Sequence, residues 1–244
     1  MPAIYMLSLR QLQSRWRIVA LLGVMAIPLV PVIVAFATSD KPSALDLDDT
    51  LINGLLASAI LPLIALVVST PMFGNEIEDK TLANLTLTPL RRWRIAAPKA
   101  IAAVSISVPL IAVSAFVSVL LAFEGAELGS GARAAAASAI GLAVGAVVYG
   151  AIFVWLGLVS KRALGIGLLY AFVWEGLFGT FVDGLKYLSV KQYALSIIHE
   201  LDPARFDGSS QNVIGITTSV IAAAIVLVLF TSMAVRKLRT MDVP

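Results

Sequence analysis

Charged side chains cut this chain into six stretches long enough to cross a lipid bilayer as helices, and no other feature restricts its fold so strongly. Five of them are uncharged: 22 residues between Arg17 and Asp40, 26 between Asp49 and Glu76, 24 between Lys99 and Glu124, 27 between Arg133 and Lys161, and 28 between Asp207 and Arg236. The sixth, 163–182, holds 20 residues and one carboxylate, Glu175. An ionised side chain at mid-bilayer costs roughly 2.5–3.5 kcal/mol on the insertion scale, and a hydrocarbon core about 30 Å thick needs about 20 helical residues. The pattern predicts an all-α integral membrane protein, one transmembrane domain over 1–244, with spans at 18–39, 51–73, 100–123, 134–160, 163–182 and 213–235. The last begins near Val213 because the ends of its run are polar.

Composition agrees and excludes several chemistries. Only 14% of residues are charged, where soluble domains carry about 25%. The absence of cysteine removes disulfides, cysteine-ligated metals and thiol catalysis, and a single histidine, His199, removes sites built from several imidazoles. No metal site and no catalytic residue is expected. The net charge of +3 does not indicate nucleic acid, because the basic residues sit beside the spans.

Lysine and arginine gather on one side of the predicted bilayer: 13 fall before the first span, between spans 2 and 3, between spans 4 and 5 and after span 6, against five in the alternate regions. Ten acids lie with those five and four with the thirteen. Short cytoplasmic loops are enriched in basic residues, so both termini are expected inside the cell membrane, of bacterial inner-membrane type. Ala35-Phe36-Ala37 resembles a signal-peptidase site, yet the apolar run is longer than a usual signal core and its charged lead-in is 17 residues, so the segment reads as a first span. Within 1–17, Tyr5, Leu9, Leu12 and Trp16 recur at helical spacing with the arginines off that line, which predicts an interfacial elbow helix.

The cytoplasmic stretch 74–98, GNEIEDKTLANLTLTPLRRWRIAAP, carries the most information. Asn75 can cap a short helix, with Glu78 as its capping-box partner and Glu76, Glu78 and Asp79 in the first turn. Thr88 and Pro89 can start a second, bearing Arg91, Arg92, Trp93 and Arg94 and ended by Pro98. An acidic helix followed by a basic one makes a charged platform for another protein. Gly74 to Thr81 mimics a phosphate-binding loop, but Asp79 replaces its second glycine, and carboxylates there would repel phosphate.

Glu76-Ile77-Glu78-Asp79-Lys80-Thr81-Leu82, then Leu85, Pro89, Arg91, Arg92 and Lys99, resembles the E-x-E-x-G-T-L…L…P-x-x-R…K pattern of ABC-2 type transporter membrane subunits, with Lys80 where the family usually has Gly. The whole layout resembles that family too. The resemblance implies a coupling helix that docks into a cytoplasmic ABC ATPase, with Glu76, Glu78, Asp79, Thr81 and Leu82 as contacts and Arg91 and Arg92 on the same platform. It further implies two ATPase copies carrying ATP and Mg, no cofactor on this chain, and a second permease chain completing a dimeric path. Export is the implied direction. An apolar bundle with short external loops leans toward a lipid, drug or amphipathic peptide as cargo.

Between spans 5 and 6, region 183–207 contains an apolar stripe at Val190, Tyr193/Ala194, Ile197/Ile198 and Leu201, stopped by Pro203. It predicts a surface-lying or re-entrant external helix, which the resemblance supports, with His199 solvated at the interface. Glu175 lies about 13 residues beyond Arg162, roughly 20 Å along a helix, and is a candidate polar contact or outer gate. The alternative function is a proton- or ion-coupled secondary transporter using that acid. Gly141-x-x-x-Gly145 is a small-residue face that lets helices approach closely. Pro28, Pro31, Pro62 and Pro109 are candidate bends.

Overall fold

The computed structural model describes residues 5–9, 15–37, 48–78, 93–123, 128–173, 187–203 and 213–240, and among these every regular element is helical. Among the described residues five helices are long and apolar enough to cross a membrane: Arg15–Ala35, Thr50–Gly74, Trp93–Ala122, Gly129–Val159 and Ile216–Thr240. Ala163–Val173, where the fifth of six spans was expected, is a shorter apolar helix among the described residues. Its continuation, including Glu175, lies outside them, as do 10–14 of the expected elbow.

The first span is two helices, α1 (Arg15–Ala26) and α2 (Leu29–Ala37). Pro28 has no N–H to offer the carbonyl a turn earlier, so the helix breaks there while Pro31 sits within α2. The main-chain oxygen of Met25, next to the break, accepts a hydrogen bond from Ser114 Oγ at 2.8 Å. A side chain of the third span thus satisfies a carbonyl at the interrupted ladder. Tyr5 and Leu9 rest against the core, whereas Trp16, expected on the same stripe, is 84% exposed on α1.

The second span is assembled from a π-helix, Asp48–Ile60, followed by α3 (Leu61–Ser69) and α4 (Pro71–Glu78). The wide turns give way to α-helix beside Pro62, and Ser58 Oγ donates to the Asn53 carbonyl five residues back at 2.7 Å. Two expectations are corrected here. No helix starts at Asn75: α4 starts at Pro71, a residue suited to the first helical position because its missing N–H is not needed there. The second correction concerns Pro98, which ends nothing, since α5 runs unbroken from Trp93 to Ala122 through both Pro98 and Pro109. Pro98 is buried and held by packing, whereas Pro109 is exposed, and the helix continues past it although the Ser105 carbonyl loses its partner there. Thr88 and Pro89 lie outside the described residues.

The long helix α6 (Leu128–Val159), starting six residues earlier than expected, is the mast of the bundle. It packs most extensively on α5, then on the short helix α8 (Val190–Leu201), on α9 (Ile216–Thr240) and on α3, while α7 (Ala163–Leu169) leans on it and on α3. Its small residues explain this. A Cβ placed on Gly141 would stand 2.5 Å from Ile198 Cγ1 and 2.6 Å from the Ala194 carbonyl oxygen, and one on Gly157 would stand 2.5 Å from the Thr70 carbonyl oxygen. Neighbouring backbones therefore lie directly against α6. Tyr149 stacks on Phe153 with centroids 5.4 Å apart, and Trp155 meets Phe230 of α9 edge-on at 5.3 Å. The lipid-facing character of the outer helices is plain in α9, where Val220, Ile221, Ile225, Val228 and Leu229 are all exposed.

Candidate coupling site

The end of α4 and the beginning of α5 are the two stems from which segment 79–92 leaves and to which it returns. Burial of an unpaired charge in such a place is costly, so a partner is required. Lys99, only 1% exposed, provides it: its Nζ lies 2.5 Å from Oε1 of Glu76, itself 4% exposed. The ammonium also donates to the Met72 carbonyl at 2.5 Å and sits 4.5 Å from the centroid of the Phe73 ring. One lysine on the third span thus grips three residues of α4. Among the described residues Glu76 Oε2 makes no hydrogen bond.

The geometry joins stems that are 23 positions apart in sequence, and it places Glu76, expected as a contact for the ATPase, in a buried ion pair within its own chain. Glu78 closes α4 as its last residue. Asp79, Thr81, Leu82, Arg91 and Arg92 lie outside the described residues. At the open rim of the stems Trp93 and Arg94 are exposed, with the Arg94 guanidinium carbon 5.8 Å from the Trp93 ring centroid. In the sequence Lys99 marks the start of the third span and the last position of the ABC-2-like pattern, and neither reading pairs it with Glu76. The available signal is its setting: Arg91, Arg92 and Arg94 cluster, whereas Lys99 stands alone among alanines in AAPKAIAA, where a solitary cation needs a counter-charge.

The second group of expected residues lies on α8, which is seated in the groove at Gly141 and Gly145 of α6, where a Cβ on Gly145 would stand 3.3 Å from Ala194 Cβ. Gly141 is 13 residues into α6, about 20 Å along its axis, so α8 is a sunken helix. Ser189 caps it by accepting from the Gln192 N–H at 3.3 Å. Tyr193 and Ile197 are buried as their stripe predicts, and Leu201, from the same stripe, is exposed. His199 is corrected: it is 8% exposed, because packing against α6 and α9 covers the face that an isolated amphipathic helix would leave in water. Tyr193 donates its hydroxyl to the Tyr187 carbonyl at 2.6 Å, fastening the helix to the segment that leads into it. Tyr193→Phe is expected to lower stability by about 1 kcal/mol, seen as a lower thermal midpoint with an unchanged helical spectrum.

A family model described as ABC-2 family transporter protein matches residues 13–175, two thirds of the chain. The match takes in both stems and the segment between them, and ends before α8 and α9. No curated protein matches the chain.

Proposed function

This chain belongs to the ABC-2 family of transporter proteins, and from that premise we propose that it is the permease subunit of an ATP-driven exporter, moved by separate ATPase subunits that dock at segment 79–92. It is a multi-pass membrane protein. In the proposed arrangement 163–182 provides the sixth crossing, both termini face the cytoplasm, and two permease chains with two ATPase copies form the working unit. ATP and Mg are bound by the partner, and the cargo is a lipid, drug or amphipathic peptide. Glu78, Asp79, Thr81, Leu82, Arg91 and Arg92 are the proposed contacts, and Glu76 acts beneath them.

The family match carries this reading, because it spans the two stems and everything between them. The buried union of Glu76 with Lys99 supports it, since a segment that receives force needs a firm mounting. Charge reversal at the mouth of the stems tests it. Tagged chain purified in mild detergent is expected to bring down an ATPase, and the Glu78→Arg, Asp79→Arg variant is expected to lose it while accumulating normally. Recovery of equal ATPase with both chains would show that the platform lies elsewhere, and absence of any ATPase from the wild type would sink the permease reading.

A further inference from the structure

Two stems flank segment 79–92, and the apolar packing between helices is non-directional and tolerates repacking with side chains of similar volume, so it specifies one register less sharply than a directional polar contact does. The contact between α4 and α5 is different at one point. Lys99 Nζ is aimed at once at Glu76 Oε1 and at the Met72 carbonyl, with the Phe73 ring beside it. These three residues lie within five consecutive positions of α4, so a displacement of α5 by even one helical turn would break every one of these contacts. Replacement of a buried ion pair by apolar residues is often harmless to stability, so stability alone does not explain its presence. The best-attested use of such a pair is to fix register.

We infer that the Glu76–Lys99 pair is a register lock that makes the inner ends of the second and third spans move as one body, so that a push at segment 79–92 reaches α5 undiminished. Glu76 and Lys99 are positioning residues, touching neither nucleotide nor cargo. The inference rests on the permease reading and adds to it the joint through which the two spans respond together. Two features locate the joint: the burial of both side chains, and the sharing of one ammonium between two acceptors with the Phe73 ring alongside. A looser link at this point would let α4 tilt while α5 stayed behind.

The chain has no cysteine, so spin labels attach only where cysteines are introduced. Ile101→Cys on α5 and Arg236→Cys on α9 are both at exposed positions and report how the third span moves against the last. The complex with its co-purified ATPase, in nanodiscs, is measured by double electron–electron resonance before and after trapping with ATP and vanadate. The labelled wild-type background is expected to shift its distance distribution. Glu76→Gln/Lys99→Met, which removes both charges together, is expected to keep the ATPase and lose at least half of that shift, and Glu76→Lys/Lys99→Glu is expected to regain it. A full shift in the uncharged chain overturns the lock, as does an exchanged chain that retains the ATPase yet responds no better than the uncharged one. Loss of ATPase from the wild type would instead refute the permease reading, so the two failures are distinguishable.

Discussion

Lys99→Met is expected to destabilise the chain by about 3–5 kcal/mol, the cost of leaving a buried carboxylate without its counter-charge. Glu76 is 4% exposed and Lys99 Nζ, 2.5 Å from Oε1, is its ion-pair partner among the described residues. Methionine matches the lysine stem in volume, so the loss is electrostatic and comes without a cavity. Glu76→Gln in the same chain should remove the charge penalty and leave only the cost of a buried amide with unmade hydrogen bonds, about 1–3 kcal/mol. Thermal midpoints of four chains in one detergent, wild type, two singles and the double, give the cycle. The expected signature is a large coupling term, with the double variant more stable than Lys99→Met alone. Equal and additive losses from the two singles would mean that the side chains act through packing and not through their charges.

A single methyl group on Gly141 should be nearly as damaging. The methyl of Gly141→Ala would stand 2.6 Å from the Ala194 carbonyl oxygen and 2.5 Å from Ile198 Cγ1, and the first of these belongs to main chain that cannot rotate away. Overpacking of this sort costs about 1–3 kcal/mol, and the backbone contact puts Gly141→Ala at the upper end. Gly145→Ala should be milder, since its nearest neighbour is the side-chain atom Leu61 Cδ2 at 2.9 Å. Gly165→Ala meets nothing within 4 Å and should stabilise α7 by about 0.5–1 kcal/mol through helix propensity. The affected element can be read directly, because Ser196→Cys would place the chain's only thiol on α8, at a position 3% exposed. Its reaction with a maleimide should be slow alone and about tenfold faster beside Gly141→Ala, tenfold being the equivalent of about 1.4 kcal/mol in opening. Equal labelling rates would show that α8 is held by something other than the Gly141 groove.

The spans were legible because ionised groups delimit them: Lys99 and Glu124 bracket most of α5, and Arg133 and Lys161 most of α6. What escaped was set by partners far away in sequence. An isolated reading of Asn75, Glu76 and Glu78 finds a capping box, since nothing local reveals that the helix has already restarted at Pro71 or that Glu76 turns toward Lys99. Pro98 reads as a terminator until the packing that buries it is known. The stripe on α8 put Tyr193 and Ile197 on one apolar face, and both are buried. It could not show His199 buried as well, because that depends on how closely the glycines of α6 admit a neighbour. The π-helical turns of Asp48–Ile60 leave no periodic mark that distinguishes them from α-helix.

The break at Pro28 bears on how the protein meets bilayers of different thickness. A rigid span adjusts to a thinner or thicker hydrocarbon layer by tilting, and in a packed bundle a tilt disturbs every neighbour. Here the nine residues of α2 are joined to α1 through a turn, and Val30, Ile33, Val34 and Ala37 among them are exposed. Met25, beside that turn, is held by Ser114 of the third span, and both α1 and α2 pack on that span. The turn at Pro28 is where this span can bend to meet a thinner or thicker layer, at less cost to the helices around α6 than tilting as one rod.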